Sequence, residues 1–212
     1  MTLPTRNHWP VPVNVNCLVM VMRLVIIFTA LFWLIQGWSL WFAVGATSAS
    51  LTFLPSVLVH DRTLRIAAEL CMTILLLAHV VLGMQIGLYE TSTVYDKLIH
   101  VLGSSAIAGL SIVAILQYSD RRQLRLPLPL LLVSVLGIVV GLGTLWELFE
   151  FAIDRTGLFR SQRGLDDTML DLVADAIGAL AALGVFIGLV HRKARLTPGY
   201  PTIDADRPVP PD

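Results

Sequence analysis

Residues 24–58 form a run of 35 positions without a formally charged side chain. A bilayer's hydrocarbon core is crossed by about 20 helical residues, so such a run is too long for one straight span and barely enough for two of about 17. The sequence therefore predicts two spans that break near Gln36-Gly37-Trp38-Ser39, with Trp33, Trp38 and Trp41 as an interfacial aromatic belt. The remainder of the chain repeats the pattern. It is 56% hydrophobic and 14% charged, against about 25% charged residues in an ordinary soluble domain, which makes lipid its main solvent.

Four further apolar stretches follow, at about 64–88, 95–118, 130–153 and 168–190, separated by polar or Pro-bearing connectors such as His60-Asp61-Arg62 and the Gly157- and Gly164-bearing loop 154–167. The expected fold class is all-α: a polytopic membrane helical bundle of about six transmembrane helices. The expected divisions are an N-terminal cytoplasmic segment at 1–22, a transmembrane helical domain at 23–192 and a disordered tail at 193–212, which holds Pro198, Pro201, Pro208, Pro210 and Pro211. The first apolar stretch outruns the roughly 7–15 residues of a secretory h-region, so it reads as an uncleaved anchor.

Orientation follows from the positive-inside rule. With both termini cytoplasmic, Arg6, Arg23, Arg62, Arg65, Arg121, Arg122, Arg125, Arg192, Lys193, Arg195 and Arg207 lie inside, and Lys97, Arg155, Arg160 and Arg163 lie outside, eleven against four. The location expected for a chain of this pattern is the cell inner membrane. The formal net charge is zero, which gives no electrostatic basis for nucleic acid as a partner; the lipid bilayer is the partner expected. Cys17 and Cys71 fall in no metal-binding or redox spacing and read as small hydrophobes. Gly137-x-x-x-Gly141, Gly184-x-x-x-Gly188 and the Gly103–Gly109 stretch read as helix-packing surfaces.

The acidic residues are the feature that composition does not explain. Asp96 opens the fourth span with His100 one turn deeper, Glu147 and Glu150 lie in the last turns of the fifth, and Asp167, Asp171 and Asp175 open the sixth. Spacings of three and four residues put partners on one helix face, so three helices each carry a polar stripe in the outer half. A carboxylate in lipid costs up to about 2.5–3.5 kcal/mol at the bilayer centre, so these side chains are expected to face one another or water. Grouped carboxylates require protonation or a compensating cation. An oxygen-rich set with one imidazole suits Mg²⁺ or Mn²⁺, with Ca²⁺ also compatible, and all seven residues are candidate metal ligands. Helix capping through Thr93-x-x-Asp96 and Thr168-x-x-Asp171 explains Asp96, Asp167 and Asp171 equally well. It does not explain Glu147 and Glu150 near a helix C-terminus, where the macrodipole disfavours anions, or Asp175 deeper in the sixth span. His79 reads as a packing residue, while Arg160 and Arg163 serve either to neutralise the carboxylates or to bind an anionic head group.

Tyr95-Asp96-Lys97-Leu98-Ile99-His100, Trp146-Glu147-Leu148-Phe149-Glu150 and Asp167-Thr168-Met169-Leu170-Asp171, followed by Asp175 and Gly178, occur in this order. The chain resembles the YjdF-like family of bacterial inner-membrane proteins over about residues 20–192. More distantly it is similar to the VanZ family, whose pattern has Gln and Asn where this chain carries Glu150 and Asp175. Three roles follow for the acidic set. Glu147, Glu150, Asp171 and Asp175 are candidate catalytic residues of a metal-dependent enzyme acting on a lipid-linked or anionic substrate of the envelope. The same carboxylates fit a proton- or cation-coupled transporter, or an accessory membrane protein whose polar cluster sets helix register.

Overall fold

The computed structural model describes residues 13–157 and 162–196, with side chains at 14–157 and 162–192. Arg160 and most of the expected disordered tail therefore lie outside the described residues. Every described element is helical: α1 (Val13–Ile35), α2 (Ser39–Leu51), α3 (Leu54–Leu58), α4 (Arg62–Leu77), α5 (Leu88–Thr91), α6 (Thr93–Arg121), α7 (Leu128–Asp154) and α8 (Leu165–Leu196). A π-helical segment, Ala78–Gln85, prolongs α4. Among the described residues, six helical stretches are long and apolar enough to cross a bilayer, with α2 and α3 together making the second. Their outward faces are apolar, as Phe28, Val133, Leu145 and Val185 show, which is the pattern of a bundle solvated by lipid.

The break between the first two spans falls at residues 36–38, where Gly37 takes a φ of 78° that a side chain with a Cβ adopts poorly. Trp33 is not part of an interfacial belt. It is fully buried, donates its indole N–H to Gln85 Oε1 at 2.6 Å and packs edge-on against Trp41. An apolar core of Ile26, Trp33, Ala49 and Val80 holds α1 and α2 to the α4 extension. A second core, with Ala108, Ile112 and Leu116 of α6, Leu131, Val135 and Val139 of α7, and Ala179 and Leu183 of α8, binds the last three spans.

The first helix starts earlier than expected. α1 begins at Val13, so the boundary drawn at residue 22 falls inside a helix and Arg23 sits about 15 Å along it rather than at its mouth. Burial of that cation is compensated by an ion pair, hydrogen bonds and an aromatic ring. Its guanidinium donates to Thr52 Oγ1 at 3.0 Å and to the Thr52 carbonyl at 2.7 Å, pairs with Glu69 Oε2 at 3.1 Å and lies 4.0 Å from the centre of the Phe53 ring. Ser56 donates to the other Glu69 oxygen at 2.8 Å. One polar knot thus ties α1, the α2–α3 junction and α4.

The glycine motifs expected to pack do not pack within this chain. A Cβ placed on Gly137, Gly141, Gly184 or Gly188 meets nothing within 4 Å, and these residues face outward. Close approach occurs at other glycines. On Gly178 of α8 an added Cβ collides with the Val101 carbonyl of α6 and stands 3.0 Å from Ser104 Cβ, while Ser105 donates to the Gly178 carbonyl at 2.9 Å. The small residues of α6 do serve as a packing surface there, and they bring α6 and α8 into backbone contact.

Candidate functional site

The last three spans close on the apolar core at one end and on a polar cluster at the other. The cluster takes the N-terminal third of α6, the C-terminal third of α7 and the N-terminal third of α8, because α7 runs antiparallel to both neighbours. α8 starts at Leu165, three residues before the expected edge of its span, so Asp175 lies about 15 Å along the helix. Capping accounts for Asp167, which lies in the first turn of α8 and accepts the Arg163 N–H at 3.2 Å, and gives way for Asp96 and Asp171. Ser92, not Thr93, caps α6 by accepting from the Tyr95 N–H at 3.2 Å, and Thr168 is already inside α8. Asp96 and Asp171 are left for other work.

His100 is the hub. Its Nδ1 lies 3.2 Å from Asp175 Oδ1, and its Nε2 lies 3.6 Å from Asp171 Oδ1 and 3.9 Å from Glu147 Oε1. Asp175 Oδ1 also accepts from Ser104 Oγ. A carboxylate only accepts, so Asp175 draws a proton to Nδ1, while Nε2 faces Asp171 and Glu147. Glu147, Asp171 and Asp175 are all buried, at 4%, 2% and 3% exposure. Glu147 Oε2 receives Gln162 Nε2 at 3.4 Å, but among the described residues Glu147 Oε1 and Asp175 Oδ2 have no hydrogen-bond partner. Gly143 of α7 leaves room for Asp175, since a Cβ there would meet Asp175 Oδ2 directly.

Lys97 supplies the cation that the sequence reasoning placed only among the outer charges. Its Nζ lies 2.7 Å from both oxygens of Asp171, 2.7 Å from Asp167 Oδ1 and 3.3 Å from Asp96 Oδ2. The signal for it was present in its position: Lys97 precedes His100 by three residues and therefore shares a helix face with it. Arg163 joins from the α7–α8 loop, with Nη1 3.8 Å from both Asp96 and Asp167 and a bond to the Tyr89 carbonyl. That position suits neutralisation of the carboxylates, one of the two roles expected for it. Glu150 is half-buried at the margin, near enough to feel Glu147, His100, Asp96 and Asp171 electrostatically.

His79 does more than pack. Its Nδ1 is 2.6 Å from the Tyr89 hydroxyl, and its ring meets Tyr89 and Trp146 edge-on. The π-helical stretch carries this pairing, because the Tyr89 ring lies where a Gly83 side chain would be. Burial, reinforced by Tyr95 and the nearby carboxylates, pushes the Tyr89 phenol above its ordinary range and keeps it a hydroxyl. Asp96, His100 and Asp171 each offer an atom within 4.8 Å of the others, a grouping able to hold a metal ion. Glu147 Oε1 faces the same imidazole.

Residues 17–193, which contain every residue of this cluster, match the DUF2238 family, described as predicted membrane proteins. The chain belongs to that family. An uncharacterized protein of Thermotoga maritima is 34% identical to this DUF2238 chain over 116 residues, covering 54% of the chain. The match takes in 57% of the relative, little more than half its length. No solved structure matches this DUF2238 protein. Family and fold together make it an all-α membrane protein, with six helices long and apolar enough to span a bilayer among the described residues.

Proposed function

We propose that this is a multi-pass protein of the bacterial inner membrane, both termini cytoplasmic, whose outer-half cluster binds Mg²⁺ or Mn²⁺ and acts on a lipid-linked or anionic substrate of the envelope. The YjdF-like name belongs with this reading. The observation that carries it is the environment of His100. One ring nitrogen is held by a buried carboxylate while the other faces two more, one of which has an oxygen without a hydrogen-bond partner. A carboxylate behind an imidazole whose far nitrogen points at acidic oxygens is the usual support of a metal-binding histidine. Bonds of about 2.1 Å at right angles hold ligand atoms about 3.0 Å apart, so the observed 3.6 and 3.9 Å would have to close by less than about 1 Å.

Charge favours the same reading. Among the described residues, six carboxylates face three groups able to carry positive charge, Lys97, His100 and Arg163. His100, Asp171, Glu147 and Asp96 would hold the ion, and Asp175 and Ser104 would orient the imidazole. A bound divalent ion would offset the negative charge and polarise a substrate oxygen. Glu150, at the margin, is placed to exchange a proton with a substrate group. A transporter fits less well, because beneath the cluster α6, α7 and α8 meet across an apolar core and Glu69 is engaged by Arg23 and Ser56.

Mn²⁺ is expected to raise the melting temperature of the detergent-solubilised protein, and the Glu147→Ala, Asp175→Ala double variant is expected to lose that increment. Incubation with a bacterial envelope lipid extract is expected to give Mn²⁺-dependent head-group changes by mass spectrometry that the double variant does not produce. Stabilisation without any lipid turnover would reduce the site to a register-setting one, and the absence of stabilisation by any divalent ion would remove the metal.

A further inference from the structure

Lys97 and the metal group compete for the same oxygens. The Lys97 ammonium is 2.7 Å from both oxygens of Asp171 and 3.3 Å from Asp96. Asp171 and Asp96 are also two of the three residues able to converge on an ion with His100. An ammonium that occupies both Asp171 oxygens blocks the approach of a second cation to them. At this separation a like charge also opposes a divalent ion strongly where water is scarce. We propose that Lys97 is an exchangeable internal counter-ion: it fills the cation position of the cluster when no metal is bound and leaves Asp171 when Mg²⁺ or Mn²⁺ enters.

The inference rests on the metal-binding reading above and adds to it a residue that sets affinity. Three features support exchange rather than permanent neutralisation. Lys97 keeps a second set of acceptors, since Asp167 offers a side-chain oxygen at 2.7 Å and its carbonyl at 3.3 Å. The ammonium can therefore give up Asp171 without losing all compensation. Its side chain is 23% exposed while that of Asp171 is 3% exposed, so the lysine has somewhere to move and the carboxylate does not. Glu147 Oε1 and Asp175 Oδ2 are buried and, among the described residues, have no hydrogen-bond donor even with Lys97 docked, so the lysine alone does not satisfy the cluster.

The experiment is a Mn²⁺ titration of the full-length, detergent-solubilised chain, followed by the loss of the free-ion electron paramagnetic resonance signal, for wild type and Lys97→Met. Methionine keeps the length of the side chain and removes its charge. Lys97→Met is expected to bind Mn²⁺ at least about tenfold more tightly than wild type. Equal or weaker binding by Lys97→Met, with wild type binding normally, overturns the exchange while leaving the metal site standing. No binding by either protein overturns the metal site and the exchange with it.

A second measurement on wild type does not depend on the variant folding. The chain has two lysines, Lys97 and Lys193, so Lys193 serves as the internal reference. Mn²⁺ is expected to increase acylation of Lys97 by an amine-reactive reagent relative to Lys193, read by peptide mass spectrometry. Unchanged or reduced labelling at Mn²⁺ concentrations that fill the site overturns the proposal.

Discussion

Replacing Arg23 by methionine is expected to destabilise the protein by about 3–5 kcal/mol, the cost of leaving one member of a buried ion pair without its partner. The Arg23 and Glu69 side chains are 11% and 17% exposed, so water screens the remaining carboxylate poorly. Among the described residues, the Ser56 hydroxyl would be left to serve it. The Thr52 carbonyl and hydroxyl would lose their donors as well, at about 1 kcal/mol per hydrogen bond. The decisive comparison is the Arg23→Met, Glu69→Met double variant. With both charges gone the larger penalty disappears, and the double variant is expected to regain most of the stability despite carrying more substitutions. Unfolding in mixed micelles of increasing dodecyl sulfate content would measure both. A single variant within about 0.5 kcal/mol of wild type, or a double variant less stable than the single, would remove the ion pair from the account of how α1 docks.

The same residue shows where sequence reading reaches its limit. The number of spans was legible because apolar length is a property of composition, and the break at residues 36–38 was legible because a glycine interrupts a run too long for one helix. The start of α1 was not. A charge in an apolar helix looks like a boundary when its partners are out of view, and Thr52 and Glu69 are 29 and 46 residues away from Arg23. Within the acidic cluster, Glu147, Glu150 and Asp175 stood out because nothing local explains a carboxylate at those places in an apolar span. Lys97 was harder to place. Beside Asp96 at a helix start it reads as a loop cation, and its engagement of Asp167 and Asp171 depends on α6 and α8 touching. That contact rests on Gly178, whereas Gly137, Gly141, Gly184 and Gly188 have the more familiar spacing and face outward. Spacing alone does not say which face of a lipid-solvated helix meets a neighbour.

Gly178→Ala should therefore have an effect out of proportion to one methyl group. Its Cβ would press on the Val101 carbonyl and come within 3.1 Å of the Ser105 nitrogen, and these are backbone atoms that no rotamer change can withdraw. α6 and α8 must separate, which strains the Ser105-to-Gly178 hydrogen bond and moves Ser104 and His100 away from Asp175. Overpacking of this kind costs about 1–3 kcal/mol, and here it also pulls Lys97 from Asp171, so melting temperature and Mn²⁺ stabilisation are expected to fall together. Gly184→Ala on the same helix is the control. Nothing lies within 4 Å of its Cβ, and alanine in a helix interior is favoured over glycine by up to about 1 kcal/mol, so this variant is expected to be neutral or slightly more stable. Equal losses in the two variants would mean that the outward face of α8 is covered in the membrane by another surface, and the backbone contact at Gly178 would lose its special place in assembling the site.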